Sequence, residues 1–278
     1  MSEALYKAVM TSRLNIAVAG CAGRMGRQLV KAAHGAGHGL SGGSEAPGSA
    51  YLGRDLGSVA GLEPLGAVAH AGMSEAGKGA DVWIDFTVPS ATLMALSMLP
   101  SLGVKAAIVG TTGFSDADLI QVETASERIA IVKAGNFSLG VNLLEALVRQ
   151  AAARLGEDWD IEILETHHNR KIDAPSGTAL MLGEAAAAGR GKPLSALRAG
   201  PYHGPDAKRA PGQIGFSVRR MGDVIGEHDV TFGSDMEMVS LSHTALDRAV
   251  FAHGAIKAAE WAATQPPGLY DMSDVLGV

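Results

Sequence analysis

The sequence predicts an α/β fold: a Rossmann-type doubly wound parallel sheet with an inserted α+β domain that carries a mixed or antiparallel sheet. Three observations support this prediction. Apolar strand-like runs alternate with helical patterns up to about residue 136, a glycine-rich turn follows the first run, and three later strand-like stretches have no helix between them. Alternating strands and helices are typical of a parallel sheet, whereas successive strands favour antiparallel pairing.

The N-terminal half carries short apolar runs that predict buried parallel strands, separated by stretches with apolar residues at helical spacing. Strands are predicted at 14–20, 39–45, 80–87, 104–113 and 128–135, and helices at 24–37, 89–99 and 115–127. The Gly- and Ser-rich segment after residue 45 is predicted as a loop.

The pattern changes after residue 136. Helices are predicted at 139–156 and 176–188, strands at 159–169, 213–223, 224–233 and 236–245, and a closing helix at 246–263. We therefore predict a second domain at 139–248, inserted into a first domain formed by 1–138 and 249–278.

Composition restricts the function classes. The 278 residues have a net charge of −6, so no overall positive charge favours nucleic acid. The single cysteine excludes an intramolecular disulfide framework. The most apolar window, 91–110, is interrupted by Pro100, Gly103 and Lys105, and no signal-peptide core is visible at the N-terminus. These features predict a cytoplasmic protein with neither a membrane nor a nucleic acid as partner.

A G-x-x-G-x-x-G turn follows the first strand and precedes the first helix. Its glycines let backbone N–H groups approach a pyrophosphate at the helix N-terminus, so we predict that it binds a dinucleotide. The residues assigned to this site are Gly20, Cys21, Ala22, Gly23, Arg24 and Met25. Glu45, at the end of the second strand, is placed to accept a hydrogen bond from the adenosine ribose. A glycine-rich turn without a ligand and a reactive Cys21 thiol are the alternatives.

Three further strand ends carry polar or glycine residues where ligands of open α/β sheets bind. They comprise Phe86, Thr87, Gly110, Thr111, Thr112, Ala134, Gly135, Asn136 and Phe137. Each could be only a turn, but their occurrence after successive strands favours a lined cofactor cleft.

The segment 165–178, ETHHNRKIDAPSGT, groups histidines and a lysine after a strand and places Ser-Gly-Thr at the start of a helix. Ser176, Gly177 and Thr178 predict an anion site at that helix N-terminus, and Lys171 adds a cation. This combination suits a dicarboxylate. A metal site is disfavoured because adjacent residues such as His167 and His168 point to opposite faces of a strand, and a solvated polar loop is the other alternative.

The motifs GCAGRMGRQL, DFTVPSATL, GTTGF, NFSLGVN, ETHHNRKIDAPSGTAL, PGQIGFSVRRMGDVIGEH and GLYDMSDVLG together resemble one family. This is the 4-hydroxy-tetrahydrodipicolinate reductase (dihydrodipicolinate reductase) family of bacterial lysine and diaminopimelate biosynthesis. The resemblance runs from about residue 14 to the C-terminus. It implies hydride transfer from NADH or NADPH to a cyclic dicarboxylate, with protonation of the neighbouring carbon to give tetrahydrodipicolinate.

The resemblance also implies residue roles. His167 matches the proton donor and Lys171 a residue that aids donation and binds substrate. His168, Gly177 and Thr178 match substrate contacts, the glycine turn and strand ends match the cofactor site, and the family is usually homotetrameric. Ala46, where some members have arginine after the acidic residue, predicts NADH as the preferred cofactor over NADPH. Another two-domain nicotinamide enzyme and a dinucleotide-sensing regulator are the alternatives.

Overall fold

The computed structural model describes residues 13–278, which divide into two compact units. The first unit extends to Phe137 and includes Ala249–Gly277, and the second is Ser138–Arg248. The strands are β1 Asn15–Ala19, β2 Gly39–Ser44, β3 Ala69–His70, β4 Val82–Asp85, β5 Ala106–Val109, β6 Ala130–Lys133, β7 Asp160–His167, β8 Ile214–Arg220, β9 Glu227–Gly233, β10 Met238–Thr244 and β11 Gly268–Tyr270.

Helices separate most strands of the first unit, whereas β8, β9 and β10 of the second unit follow one another without a helix between them. The helices within the described residues are α1 Arg24–Gly35, α2 Leu56–Ala60, α3 Met73–Gly77, α4 Pro89–Met98, α5 Asp116–Ser126, α6 Leu139–Arg154, α7 Gly177–Gly189, α8 Leu194–Leu197, α9 Ala249–Ala262 and α10 Met272–Leu276, with a 3-10 helix at Leu99–Leu102. None of the helices in this part of the chain is long and apolar enough to cross a bilayer.

The first unit is built on a seven-stranded parallel sheet in the order β11-β6-β5-β4-β1-β2-β3. The central strands β4 and β5 are buried along their whole length, as expected for parallel strands covered by helices on both faces. Small residues let α9 pack closely on this unit. A Cβ at Gly254 would lie 1.6 Å from the carbonyl oxygen of Phe137, so only glycine fits there.

The second unit contains a mixed four-stranded sheet in the order β10-β9-β7-β8. β7 pairs in parallel with β8 and antiparallel with β9, and β10 pairs antiparallel with β9. Apolar side chains of β7 and β9 form one core with the helices α6 and α7. The two helices approach closely at Gly189, where a Cβ would lie 2.4 Å from the carbonyl oxygen of Arg149. The predicted fold class is confirmed.

The segment after residue 45 differs from the predicted loop, because it folds into α2, β3 and α3. Asp55 organises this region. Its carboxylate accepts hydrogen bonds from the amides of Ser58, Leu65 and Gly66 at 3.1, 3.0 and 2.7 Å. These bonds cap α2 and hold the following turn.

Candidate cofactor and substrate sites

The predicted cofactor residues of the first unit lie at one edge of its sheet. β6, β5, β4, β1 and β2 are neighbours in the sheet and parallel, so their carboxyl ends meet at the same edge. The turn after β1 carries Gly20 to Met25, Glu45 follows β2, Phe86 and Thr87 follow β4, Gly110 to Thr112 follow β5, and Ala134 to Phe137 follow β6.

Glycine is required at two positions of the turn after β1. Gly20 has φ +59°, a left-handed conformation that favours glycine. A Cβ at Gly26 would lie 2.1 Å from the carbonyl oxygen of Gly20, so α1 could not approach β1 with any other residue. The turn closes with a hydrogen bond from the Gly23 amide to the Gly20 carbonyl at 2.9 Å.

The backbone amides of this turn divide into two groups. The Cys21 amide donates to the Ser44 carbonyl at 3.2 Å, and the Ala22 amide donates to Oε1 of Glu45 at 2.7 Å. The amides of Arg24 and Met25, in the first turn of α1, have no acceptor among residues 13–278. They are therefore the amides that can bind a pyrophosphate at the positive end of the helix dipole.

Cys21 does not have the properties of a reactive thiol. Its side chain is buried against Gly43, and burial, with the nearby Glu45 carboxylate, raises the pKa of the thiol to about 12. A thiol in this state is not ionised at neutral pH and is a poor nucleophile. Cys21 is therefore a small buried residue of the turn and not a reactive thiol.

A cavity of about 650 Å³ opens beside this turn, with Gly20, Glu45, Ala46, Thr87 and Met94 among its lining residues. Its size is typical of small-molecule and cofactor sites. The cavity, the glycine turn and the carboxylate fit the adenosine and pyrophosphate portion of a nicotinamide dinucleotide.

A buried carboxylate orders two of the other strand ends. Asp85, at the end of β4, accepts hydrogen bonds from the amide and hydroxyl of Thr87 and from the hydroxyl of Thr111. The ring of Phe86 packs on that of Phe137, with the ring centres 5.2 Å apart. These strand ends are thus fixed by contacts with one another, and Asp85 was not among the residues predicted for the site.

In the second unit, β7 positions the first residues of the predicted substrate site. Glu165 and His167 are two residues apart and so lie on the same face of the strand. The Nδ1 atom of His167 lies 2.7 Å from Oε2 of Glu165, and Nε2 has no hydrogen-bond partner in the described part of the chain. His167 can therefore present Nε2 to a bound molecule.

The loop after β7 contains His168 and Lys171. Burial, together with the positive charges of Arg170 and Arg248, lowers the pKa of His168, so the neutral imidazole is favoured. The Nζ atom of Lys171 donates to both carboxylate oxygens of Asp173, at 2.8 and 2.9 Å. The predicted cation is therefore paired, and a bound carboxylate must share or replace this contact.

Ser176, Gly177 and Thr178 begin α7. Ser176 is 2% exposed and caps the helix, with its hydroxyl accepting from the Ala179 amide at 3.2 Å and its own amide donating to Oε1 of Glu165 at 2.9 Å. Its polar groups thus have partners within the protein. Gly177 is exposed, and a Cβ there would meet nothing within 4 Å, so space is open at the positive end of the helix.

Arg220 and His228, which were not among the predicted site residues, also contact this group of side chains. Both Nη atoms of Arg220 donate to Glu165, and His228 places Nε2 3.1 Å from the Ser176 hydroxyl. Burial lowers the pKa of His228 to about 4. The pairing of β7 with β8 and β9 brings these residues together, and only the period-two spacing of Glu165 and His167 was visible in the sequence.

Residues 13–278 contain no group of three or more His, Cys, Asp or Glu side chains arranged to hold a metal ion.

Comparison with protein-family models gives two matches that together cover most of the chain. The model described as "Dihydrodipicolinate reductase, N-terminus" matches residues 14–137, and that described as "Dihydrodipicolinate reductase, C-terminus" matches residues 140–276. The chain belongs to the dihydrodipicolinate reductase family. This is an enzyme family of lysine and diaminopimelate biosynthesis that uses a pyridine nucleotide, and the predicted family, reaction and enzyme class are confirmed.

Individual relatives agree with this assignment. A protein of Parvibaculum lavamentivorans named 4-hydroxy-tetrahydrodipicolinate reductase is 50% identical over 271 residues, covering 97% of this chain and 100% of the relative. One of Cereibacter sphaeroides with the same name is 47% identical over 270 residues, with the same coverage of 97% and 100%.

Solved structures show the same fold. The dipicolinate-bound dihydrodipicolinate reductase of Paenisporosarcina sp. TG-14 superposes with a TM-score of 0.75 at 23% identity, covering 94% of this chain and 98% of the other. An amine dehydrogenase of Mycobacterium smegmatis superposes with a TM-score of 0.63 at 15% identity, covering 94% and 95%. At these identities the superpositions support the fold alone.

Proposed function

We propose that the second unit of this reductase binds the cyclic dicarboxylate dihydrodipicolinate and protonates it from His167, while the first unit binds NADH. The observation that carries this proposal is the pairing of Nδ1 of His167 with the buried Glu165, which leaves Nε2 for a ligand. A histidine held in this way can act as a general acid through Nε2.

Substrate recognition is assigned to residues around this histidine. The first turn of α7, at the exposed Gly177 and the half-buried Thr178, directs the positive end of the helix dipole to one carboxylate of the substrate, and Ser176 holds the start of that helix in place. The ammonium group of Lys171 binds a carboxylate of the substrate, for which it leaves its contact with Asp173. His168, whose neutral form is favoured, is a further contact that can donate or accept a hydrogen bond.

The cofactor is assigned to the edge of the first unit's sheet. The amides of Arg24 and Met25 bind the pyrophosphate, Glu45 binds the adenosine ribose, and the ends of β4, β5 and β6 line the remaining site. When bound, the nicotinamide supplies the hydride. NADH is the preferred cofactor, because Ala46 places no positive charge beside Glu45 to bind the additional phosphate of NADPH. NADPH is used less efficiently.

The chemistry of the protein groups is electrostatic stabilisation and proton transfer. Hydride addition leaves electron density on the substrate, and the ammonium group of Lys171 stabilises that charge. The proton on Nε2 of His167 passes to the neighbouring carbon, and His167 becomes neutral. Proton donation in this scheme involves no metal.

We also propose that the enzyme is a homotetramer that acts in the cytoplasm, where amino-acid biosynthesis takes place. β10 is an edge strand, none of its seven residues is buried, and Met238 and Val239 on it are exposed apolar side chains. An exposed edge strand that carries apolar side chains favours pairing with another chain. Association through the second unit's sheet would cover it.

The test of the reaction is NADH oxidation followed with freshly generated dihydrodipicolinate. The proposal expects consumption of NADH that depends on both compounds and yields tetrahydrodipicolinate. Oxidation with an amino-acid substrate instead would indicate a different dehydrogenase, and NADH binding without turnover would indicate a dinucleotide-sensing regulator.

A further inference from the structure

The carboxylate of Glu165 is fully buried, at 0% exposure, and has protein donors on both oxygens. Oε2 accepts from Nδ1 of His167 at 2.7 Å and from Nη1 of Arg220 at 2.6 Å. Oε1 accepts from Nη2 of Arg220 at 2.8 Å and from the Ser176 amide at 2.9 Å. A single side chain thus connects the histidine at the end of β7 with β8 and with the first residue of the turn that starts α7.

These contacts keep Glu165 ionised. Burial would raise the pKa of this carboxyl, but hydrogen bonds from Arg220, His167 and the Ser176 amide outweigh it, and the pKa is lowered. An ionised carboxylate can only accept hydrogen bonds, so the proton between the two side chains belongs to Nδ1 of His167. In the neutral imidazole, Nε2 is then the atom without a proton.

The imidazole ring of His167 is also confined by its neighbours. A Cβ at Gly226 would lie 3.0 Å from Nε2, so the ring packs closely against this glycine. The ring of His228 lies edge-on, with the ring centres 5.2 Å apart. These two neighbours leave the His167 ring little room to rotate, and the hydrogen bond from Nδ1 to Glu165 fixes its orientation further.

We propose that Glu165 is the positioning residue of the proton donor: it fixes the Nδ1–H tautomer of His167, directs Nε2 to the substrate and, through Ser176, keeps the start of α7 in register with that histidine. The inference rests on the proposed role of His167. In proton donation, the Nε2–H bond breaks and a C–H bond forms on the substrate. The imidazolium becomes neutral while keeping its Nδ1 proton, and Glu165 gains no proton.

A double-mutant cycle separates positioning from a general structural role. We compare the wild-type holoenzyme with Glu165→Gln, His167→Gln and the double variant. Glu165→Gln is expected to lower kcat by about 10- to 100-fold with little change in KM, since an oriented acid contributes on that scale. In the His167→Gln background the same substitution is expected to lower kcat by less than about 2-fold, because residues that act as one unit are not additive.

Glu162→Gln is the matched control. Glu162 lies on the same strand and forms an ion pair with Arg209, but it is not part of the Glu165 contacts. The control is expected to keep kcat within about 2-fold of wild type. Equal losses from Glu165→Gln in the wild-type and His167→Gln backgrounds would mean that Glu165 does not act through His167.

Nitrogen-15 NMR of histidine-labelled protein tests the tautomer without any enzymatic turnover. The His167 signal is identified by its loss in His167→Gln. The proposal expects protonated Nδ1 and unprotonated Nε2 in the neutral wild-type ring, and a mixture of both tautomers in Glu165→Gln. An Nε2–H tautomer in the wild type would overturn the inference even if Glu165→Gln failed to fold, whereas inactivity with dihydrodipicolinate would overturn only the proposed function.

Discussion

The backbone amide of Ala22 donates to Oε1 of Glu45 at 2.7 Å and so holds the turn after β1 to the acidic residue after β2. The Glu45 side chain is thereby fixed at the cavity beside the exposed Ala46. A ribose hydroxyl can donate to this carboxylate. A phosphate on the same hydroxyl would bring a second negative charge against it.

We predict that NADH is favoured over NADPH by at least several-fold in kcat/KM, and that Ala46→Arg narrows the difference by improving NADPH. A charge-assisted hydrogen bond contributes about 1.5–3 kcal/mol, which corresponds to roughly ten- to a hundredfold in affinity. Steady-state kinetics with both cofactors provide the measurement, and NADH kinetics in Ala46→Arg are the internal control. The kcat/KM of Ala46→Arg for NADH is expected to stay close to the wild-type value.

Equal use of the two cofactors by the wild type would mean that another cation reaches the phosphate. Arg24 and Arg54 are two candidates, and Arg54 lies against the Tyr51 ring at 5.7 Å. Arg27 packs on the same ring at 5.1 Å and donates to the Ala22 carbonyl. In that case Arg27→Ala or Arg54→Ala would selectively reduce activity with NADPH.

The substrate site yields a second prediction. His167→Gln and Lys171→Ala are each expected to lower turnover by about 10²-fold or more, the scale for losing a general acid or a charge that stabilises the transition state. The NADH dissociation constant, measured by fluorescence titration, is expected to stay near the wild-type value because both residues belong to the second unit. Lys192→Ala, which removes an exposed cation of the second unit that is paired with Glu157 outside this loop, is the control and is expected to keep turnover near the wild-type value. Near-normal turnover in both test variants would contradict the roles assigned here.

Much of the fold was predictable because its signals are local. The alternation of β1, α1 and β2 follows from apolar periodicity and glycine placement, and the first-unit sheet repeats that pattern. The short helices α2 and α3 were not predicted, since five residues are too few for periodicity to be visible. α2 is stabilised by Asp55, whose partners extend to Gly66.

The site was predicted less completely than the fold. The residue types of the 165–178 segment predicted an anion site from local sequence alone, and the role of His167 as proton donor came from the resemblance to the reductase family. The significance of Glu165 depends on its burial and on Arg220, which is 55 residues away in sequence. The pairing of Lys171 with Asp173 also requires the loop conformation. Long-range strand pairing and loop geometry are properties that a single sequence does not display.

A third prediction concerns assembly. Met238, on the edge strand β10, is 75% exposed. We expect sedimentation of the wild type at micromolar concentration to show a species of four chains, and Met238→Lys to shift it towards smaller species, because a charge on an edge strand opposes pairing. Ile120→Lys on α5, a residue that is 63% exposed in the first unit, is the control and is expected to leave the sedimentation unchanged. A wild type that is only monomeric would exclude the tetramer.

The last prediction concerns stability towards acid. His228 is 4% exposed, and burial lowers its pKa from 6.5 to about 4. Between these values the unfolded chain binds a proton at this residue that the folded protein does not bind. The free energy of unfolding therefore decreases as the pH falls from about 6.5 to about 4, and at about pH 5 the loss due to His228 is about 2 kcal/mol.

His228→Gln removes this titration while retaining a group that can hydrogen-bond to the Ser176 hydroxyl, so the variant is expected to lose less stability between about pH 7.5 and about pH 5. Urea unfolding at both pH values, at one fixed protein concentration because association shifts apparent stability, gives the comparison. His34→Gln, at an exposed position on α1, is the control and is expected to follow the wild-type pH dependence. If wild type and His228→Gln lost the same free energy of unfolding over this range, His228 would not be the buried, neutral imidazole that its contacts describe.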